Sequence, residues 1–173
     1  NIKLKFLNGG ILKPSSGAVI TGTRTKIDAG IQQIFDLSAS GATGIAGTWL
    51  FEEAYPEWFG AVGDGSTANA TAIAYCLSFA SNHAGCTVCF KRGTYLTTHI
   101  DFTGLTQINI KGASKNVKIQ ITGSSSLIGG ETIGLLFDNN TYLTISDLWF
   151  YFPNELTHSI RFGKLSDPYV YYN

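Results

Sequence analysis

Six carboxylates in the second half of the chain, Asp101, Glu131, Asp138, Asp147, Glu155 and Asp167, are the residues with which it could cleave a glycoside. That reaction takes two carboxyl groups roughly 5 to 10 Å apart, one protonating the leaving oxygen and the other attacking or activating water. The spacing of these six ties no two of them to one face. Lyase chemistry would want acids clustered around a calcium ion with a base beside them, and only Arg161 and Lys164 near Asp167 approach that composition. Asp64 sits between Gly63 and Gly65 just ahead of a helical pattern. A carboxylate there could take a cation or act as a general acid; its neighbours favour a turn residue that bonds nearby backbone and faces the helix N-terminus.

The cysteines are three: Cys76, Cys86 and Cys89. Cys86 and Cys89 have the spacing of a redox or zinc half-motif, but they fall on a strand pattern. There, positions three apart face opposite sides with Cα atoms about 10 Å apart, beyond disulfide reach. No second ligand pair completes a zinc site, so they read as small buried hydrophobes. His83, His99 and His158 are scattered and read as surface or loop residues. The sequence has no nucleophile elbow, phosphate loop, dinucleotide fingerprint or His pair at metal spacing. No catalytic, cofactor-binding or metal residue is assigned, and no cofactor is expected.

The elements that would position these side chains are mostly short strands. Before residue 56, alternating runs at Leu4 to Leu7, Ala18 to Thr23, Thr25 to Ala29 and Gln33 to Leu37 are separated by turn residues, Gly9, Gly10, Gly41 and Gly44 among them. Period-two alternation with such punctuation predicts a small N-terminal β module over residues 1–55. A connector and helix come next, over 56–85. Ile73, Cys76, Leu77 and Ala80 recur at steps of three and four and share one helical face. Thr67 or Asn69 is placed to cap the helix start, and Gly85 to stop it in a left-handed conformation.

From Thr87 on, the strand pattern returns in alternating pairs: Val88 and Phe90, Ile108 and Ile110, Val117 with Ile119 and Ile121, Leu143 and Ile145, Ile160 and Phe162. Glycine, serine and asparagine separate them at irregular intervals. Alternation along Leu148 to Phe152 divides Leu148, Phe150 and Phe152 from Trp149 and Tyr151. With the first set in the core, Trp149 and Tyr151 are exposed, placed to hold a glycan or, the favoured reading, to seal against a neighbouring subunit.

Two separated stretches carry a resemblance. The first is Glu57-Trp58-Phe59-Gly60-Ala61-Val62-Gly63-Asp64-Gly65; the second runs from Gly85 to Leu96 and reads GCTVCFKRGTYL. In order, spacing and intervening helix they resemble the opening of the pectate-lyase-like right-handed β-helix family, in the variant found in bacteriophage tailspikes and tail fibres. The resemblance covers residues 57 to 98. It departs at Ala68, Asn69 and Ala70, where the family has Asp-Asp-Thr, and at Lys91 and Arg92, where it has a proline turn. The glycines and apolar positions that carry the fold stand.

The resemblance implies an all-β fold: a right-handed parallel β-helix, its first coils over 86–173, with the helix lidding the open end through Ile73 and Leu77. It implies that Trp58 and Phe59 pack the connector onto the coil. It also implies a homotrimer that serves as a structural component of the virion tail, beside other tail proteins and directed at a bacterial surface polysaccharide. The same fold carries other functions. The N-terminal part of a secreted bacterial polysaccharide lyase or glycoside hydrolase is the alternative, and a catalytically silent adaptor is a third reading.

Bulk properties bound these expectations. The 173 residues suffice for one domain, or one with an appended module. Twelve Lys and Arg balance twelve Asp and Glu, so no net field draws the chain to nucleic acid or an anionic membrane. No apolar run reaches the roughly 18 residues of a membrane span, and the first dozen residues lack a signal peptide's apolar block. Absence of methionine and the start at Asn1 read as a piece of a longer polypeptide.

Overall fold

The computed structural model of the chain describes residues 2–123, 133–154, 156 and 158–162. In chain order its elements are β1 (Lys3–Lys5), β2 (Ile20–Asp28), β3 (Ile45–Leu50), β4 (Glu53–Ala54), β5 (Asp64–Ala68) and α1 (Ala70–Ser81). There follow β6 (Thr87–Phe90), β7 (Thr94–Thr97), β8 (Ile100–Asp101), β9 (Asn109–Gly112), β10 (Val117–Ile121) and β11 (Ile133–Phe137). The last are β12 (Thr144–Ser146), β13 (Leu148–Tyr151) and β14 (His158–Phe162). The fold is mostly β, with one α-helix among the described residues.

The strands form four sheets: β1-β2-β3, then sheet I of β4, β6, β9 and β12, sheet II of β5, β7, β10 and β13, and sheet III of β8, β11 and β14. Every strand pairing among the described residues is parallel. From β6 onward successive strands join sheets I, II and III in rotation. The helix comes after β4 and β5, and so stands in chain order where a first strand of sheet III would be.

Stacked registers explain the alternation in the sequence. In sheet I, Ala54, Val88, Ile110 and Ile145 are aligned; in sheet II, Tyr95, Ile119 and Phe150 are. Ala54, Val88, Ile110, Tyr95 and Ile119 are fully buried, each large apolar member contributing about 1.5–3 kcal/mol. In sheet III, the rings of Phe102, Phe137 and Phe162 stack at 4.7 and 5.0 Å. Burial falls along this sheet: Ile160 and Phe162, an alternating pair in the sequence, are 38% and 46% exposed, and among the described residues β14 has a strand, β11, on one side only.

A backbone feature marks the approach to β6, β9 and β12. Gly85, Gln107 and Tyr142 all have left-handed φ, at 85°, 54° and 55°. They stack: Gly85 N donates to Gln107 O at 2.7 Å and Gln107 N to Thr141 O at 2.8 Å. Gly85 therefore turns a corner instead of ending the helix, which finishes at Ser81 with Asn82 as its C-cap.

The start of the helix also differs from expectation. Asn69 is the N-cap residue but makes no side-chain cap bond. Its fully buried amide accepts from Val62 N at 2.6 Å and donates to Val62 O and Thr67 O at 3.0 and 2.7 Å. The side chain closes the loop before the helix, and Thr67 Oγ1 is likewise spent on Asp64 Oδ2 at 2.7 Å. The predicted face is buried as expected: Ile73 1%, Cys76 0%, Leu77 4% and Ala80 0% exposed.

In the N-terminal stretch, the two predicted runs on either side of Arg24 form one strand, β2, irregular at Arg24, whose φ is 50°. Gln33 to Leu37 is not a strand, since Phe35 makes only an isolated bridge to Leu12. Strand β3 was hidden in the sequence by Gly47. A Cβ there would lie 2.2 Å from Gly22 O, so the strand's glycine is a close-approach residue and not a turn. One apolar core runs through all three predicted stretches, joining Ile27, Phe35 and Trp49 to Phe59, Ile73, Val88 and Ile119.

Candidate functional site

The two stretches that carry the family resemblance meet in space. Pro56 opens a short 3-10 turn, Pro56–Phe59, that Gly60 ends in a left-handed conformation. This buries Trp58 and Phe59, as expected of packing residues. Trp58 Nε1 donates to Gly30 O at 2.9 Å, while Trp58 O accepts from Ile34 N and Phe35 N. The turn thus fastens the N-terminal stretch to the connector that leads into sheet II.

Glu57, on the same turn, was not singled out by sequence reasoning. Only 9% exposed, it accepts through Oε1 from the Tyr95 hydroxyl and from Lys91 N at 3.3 Å. Tyr95 Oη also lies 3.0 Å from Lys91 O, and Glu57 Oε2 is buried without a hydrogen-bond partner. Burial, then the Glu57 carboxylate, push the Tyr95 phenol far above its ordinary value of 10.0. Tyr95 stays protonated and is a donor, not a base. Beside it, Gly63 and Gly93 touch: a Cβ on Gly93 would sit 2.4 Å from Gly63 O, and Thr94 N donates to that oxygen at 3.0 Å. The spacing of the two motifs serves this contact. It is a structural lock.

Asp64 behaves as a turn residue. Its Oδ1 accepts from Ser66 N at 2.8 Å and Thr67 N at 2.7 Å, with Thr67 Oγ1 on Oδ2. These bonds, those from Thr67 first, hold its carboxyl well below the usual range. It lies at the start of β5 and its oxygens serve the turn, the role its neighbours favour.

On the outer face of sheet II, Trp149 and Tyr151 are 56% and 39% exposed, as the alternation predicts. Their rings lie 6.2 Å apart at 55°. Lys118 Nζ stands 5.3 Å from the Trp149 ring centre and 4.5 Å from that of Tyr151, a cation–π contact shared by both rings. Rows Thr94–Lys118–Trp149 and Leu96–Gln120–Tyr151 cross this face. It can contact another surface through fixed aromatic area with polar neighbours. Lys118 is the member that sequence reasoning missed, because pairing register is not readable from either strand alone.

Of the six carboxylates, Glu131, Glu155 and Asp167 lie outside the described residues, as does Lys164. Asp101 belongs to β8 and Asp138 comes just after β11, on neighbouring strands and out of register by two residues. Asp101 Oδ1 accepts from Thr103 N at 2.8 Å. Asp147 lies between β12 and β13 with φ 55°. Arg161 is buried. Among the described residues, no group of three or more His, Cys, Asp or Glu is gathered to hold a metal ion.

The cysteines are free and buried. Burial raises all three thiols, that of Cys86 to about 11. His83 is a loop residue, as one of the two expected readings has it, and it is tied into the structure. Half-buried against Phe51 and Phe79, it accepts at Nε2 from Trp49 N at 3.0 Å, and its Nδ1 lies 3.1 Å from Phe79 O. It ties the end of α1 to β3. His99 Nδ1 is 3.3 Å from Thr98 Oγ1. No helix among the described residues is long and apolar enough to cross a membrane.

Comparison with family models, with curated proteins and with solved structures finds no match.

Proposed function

We propose that the chain is a structural component of a bacteriophage tail fibre or tailspike. In this reading sheets I, II and III are the faces of a right-handed parallel β-helix lidded by α1. Three copies pack side by side in the virion tail, among other tail proteins and directed at a polysaccharide of the host surface. The observation that carries the reading is the meeting of the two motif stretches at Gly63–Gly93 and Glu57–Tyr95. The strand rotation through three parallel sheets supports it, and right-handed winding is what about 98% of parallel crossovers adopt. The exposed Trp149 and Tyr151 give a neighbouring subunit a surface to cover.

Sedimentation equilibrium tests the assembly: the expected mass is three times the 18.6 kDa of one chain, and a monomer at all concentrations overturns the trimer. Incubation with purified bacterial capsule tests the class. Release of reducing ends by the protein would replace the structural reading with that of a secreted lyase or hydrolase.

A further inference from the structure

A cleft of about 880 Å³ lies at the seam between the N-terminal sheet and sheet I, lined by residues of both. Its aromatic wall is rigid. Phe51 stacks on Phe79 at 4.9 Å and meets Trp58 edge-on at 6.1 Å, and Tyr55 leans on Trp58 at 5.4 Å. Phe51 and Tyr55 are only half-buried, so part of each ring faces the opening.

The polar groups are also fixed in place. Glu53 Oε2 accepts from the Tyr55 hydroxyl, and Oε1 is 3.0 Å from Lys111 Nζ. These bonds, that from Tyr55 first, lower the Glu53 carboxyl below its ordinary value, leaving it an ionised acceptor in one orientation. Glu52 is exposed on the same rim, and exposed Lys26 lines the same cleft from the N-terminal sheet. Lys111 is ion-paired with Glu53, and Glu52 and Lys26 bring one formal charge of each sign to the lining.

This combination selects a ligand chemistry. A purely apolar molecule would strip water from Glu52, Glu53 and Lys26 and give nothing back. An acidic one would meet two carboxylates. A neutral ring bearing several hydroxyls satisfies both halves, with its C–H face on Phe51 and Tyr55, its O–H groups donating to the carboxylates and its oxygens accepting from Lys26. Preformed pockets of this size at a seam between substructures are common small-molecule sites.

We propose that this cleft is a binding site for a neutral saccharide, separate from the aromatic face of sheet II. The proposal stands on the chemistry of the cleft and does not depend on the tail assignment.

Saturation-transfer NMR of the intact protein with a panel of glucose, galactose and mannose tetrasaccharides tests it, with titration calorimetry on any that respond. At least one neutral sugar is expected to bind. K26A and E52A each weaken that binding tenfold or more with an unchanged melting temperature, and W149A leaves it unaltered. E52Q, which keeps the side chain's shape, checks that any loss follows the carboxylate. Absence of transfer from every neutral sugar at millimolar concentration overturns the site. So does wild-type affinity in K26A and E52A, or loss of binding in W149A. The sedimentation mass is a separate readout, so failure here and failure of the trimer are distinguishable.

Discussion

Glu57 and Tyr95 make one side chain's fate depend on another 38 residues away in the chain. Removing the Tyr95 hydroxyl leaves a buried carboxylate with Lys91 N as its remaining donor. Tyr95→Phe is therefore expected to cost about 1–3 kcal/mol, read from the urea midpoint; an unchanged midpoint would show that the lock contributes nothing. The glycines permit a sharper contrast. Gly93→Ala drives a Cβ to 2.4 Å from Gly63 O, whereas one on Gly85 meets nothing within 4 Å. Gly85→Ala is expected to cost only the left-handed backbone term of roughly 1–2 kcal/mol. Gly93→Ala should cost clearly more, and equal losses from the two variants would sink this account of the motif spacing.

Asp36 supplies a titration at the same scale. The Lys13 ammonium, 2.6 Å away, and Ser38 hold its carboxyl at about 2, down from 3.8. A depressed acid contributes stability above its unfolded value and loses it as pH falls through the folded one. The loss attributable to Asp36 should fall between pH 3.8 and about 2. Urea midpoints across that range, compared with those of Lys13→Ala, measure it: the variant should lose less on acidification, and parallel curves would remove the pair from the explanation.

At the scale of elements, α1 was legible because its apolar stripe repeats at helical spacing and no β-branched run interrupts it. The position of its N-cap, Asn69, was legible, but what that side chain bonds was not, nor was the stop. Asn69 and Gly85 have the residue types of helix ends, but tertiary partners, Val62 and Gln107, claim them for a loop closure and a corner. Strand β3 escaped notice for a related reason, since Gly47 looks like punctuation until Gly22 is placed against it. The inward rows of sheets I and II were readable, because alternation records a face. Which strand lies beside which was not, and with it Lys118 between Trp149 and Tyr151. Leu77→Ala, on the buried face of α1, should cost about 2–5 kcal/mol and promote aggregation; intact melting and solubility would mean that the helix is not needed as a lid.

At the scale of the whole molecule, protection should follow the stacking. Backbone amides in β6, β7, β9 and β10, each flanked by a strand on both sides, are expected to exchange slowest with deuterium. Those of β12, β13 and β14, each paired on one side only among the described residues, should exchange faster than these. The opposite order would contradict the stacked arrangement.

The place taken by α1 gives the molecule a sense of direction. A helix satisfies its own amides and carbonyls and presents no row of them for a foreign ribbon to join. On the α1 side of β8, recruitment of a stray extended segment is therefore disfavoured, and growth of the sheet in that direction stops at the helix.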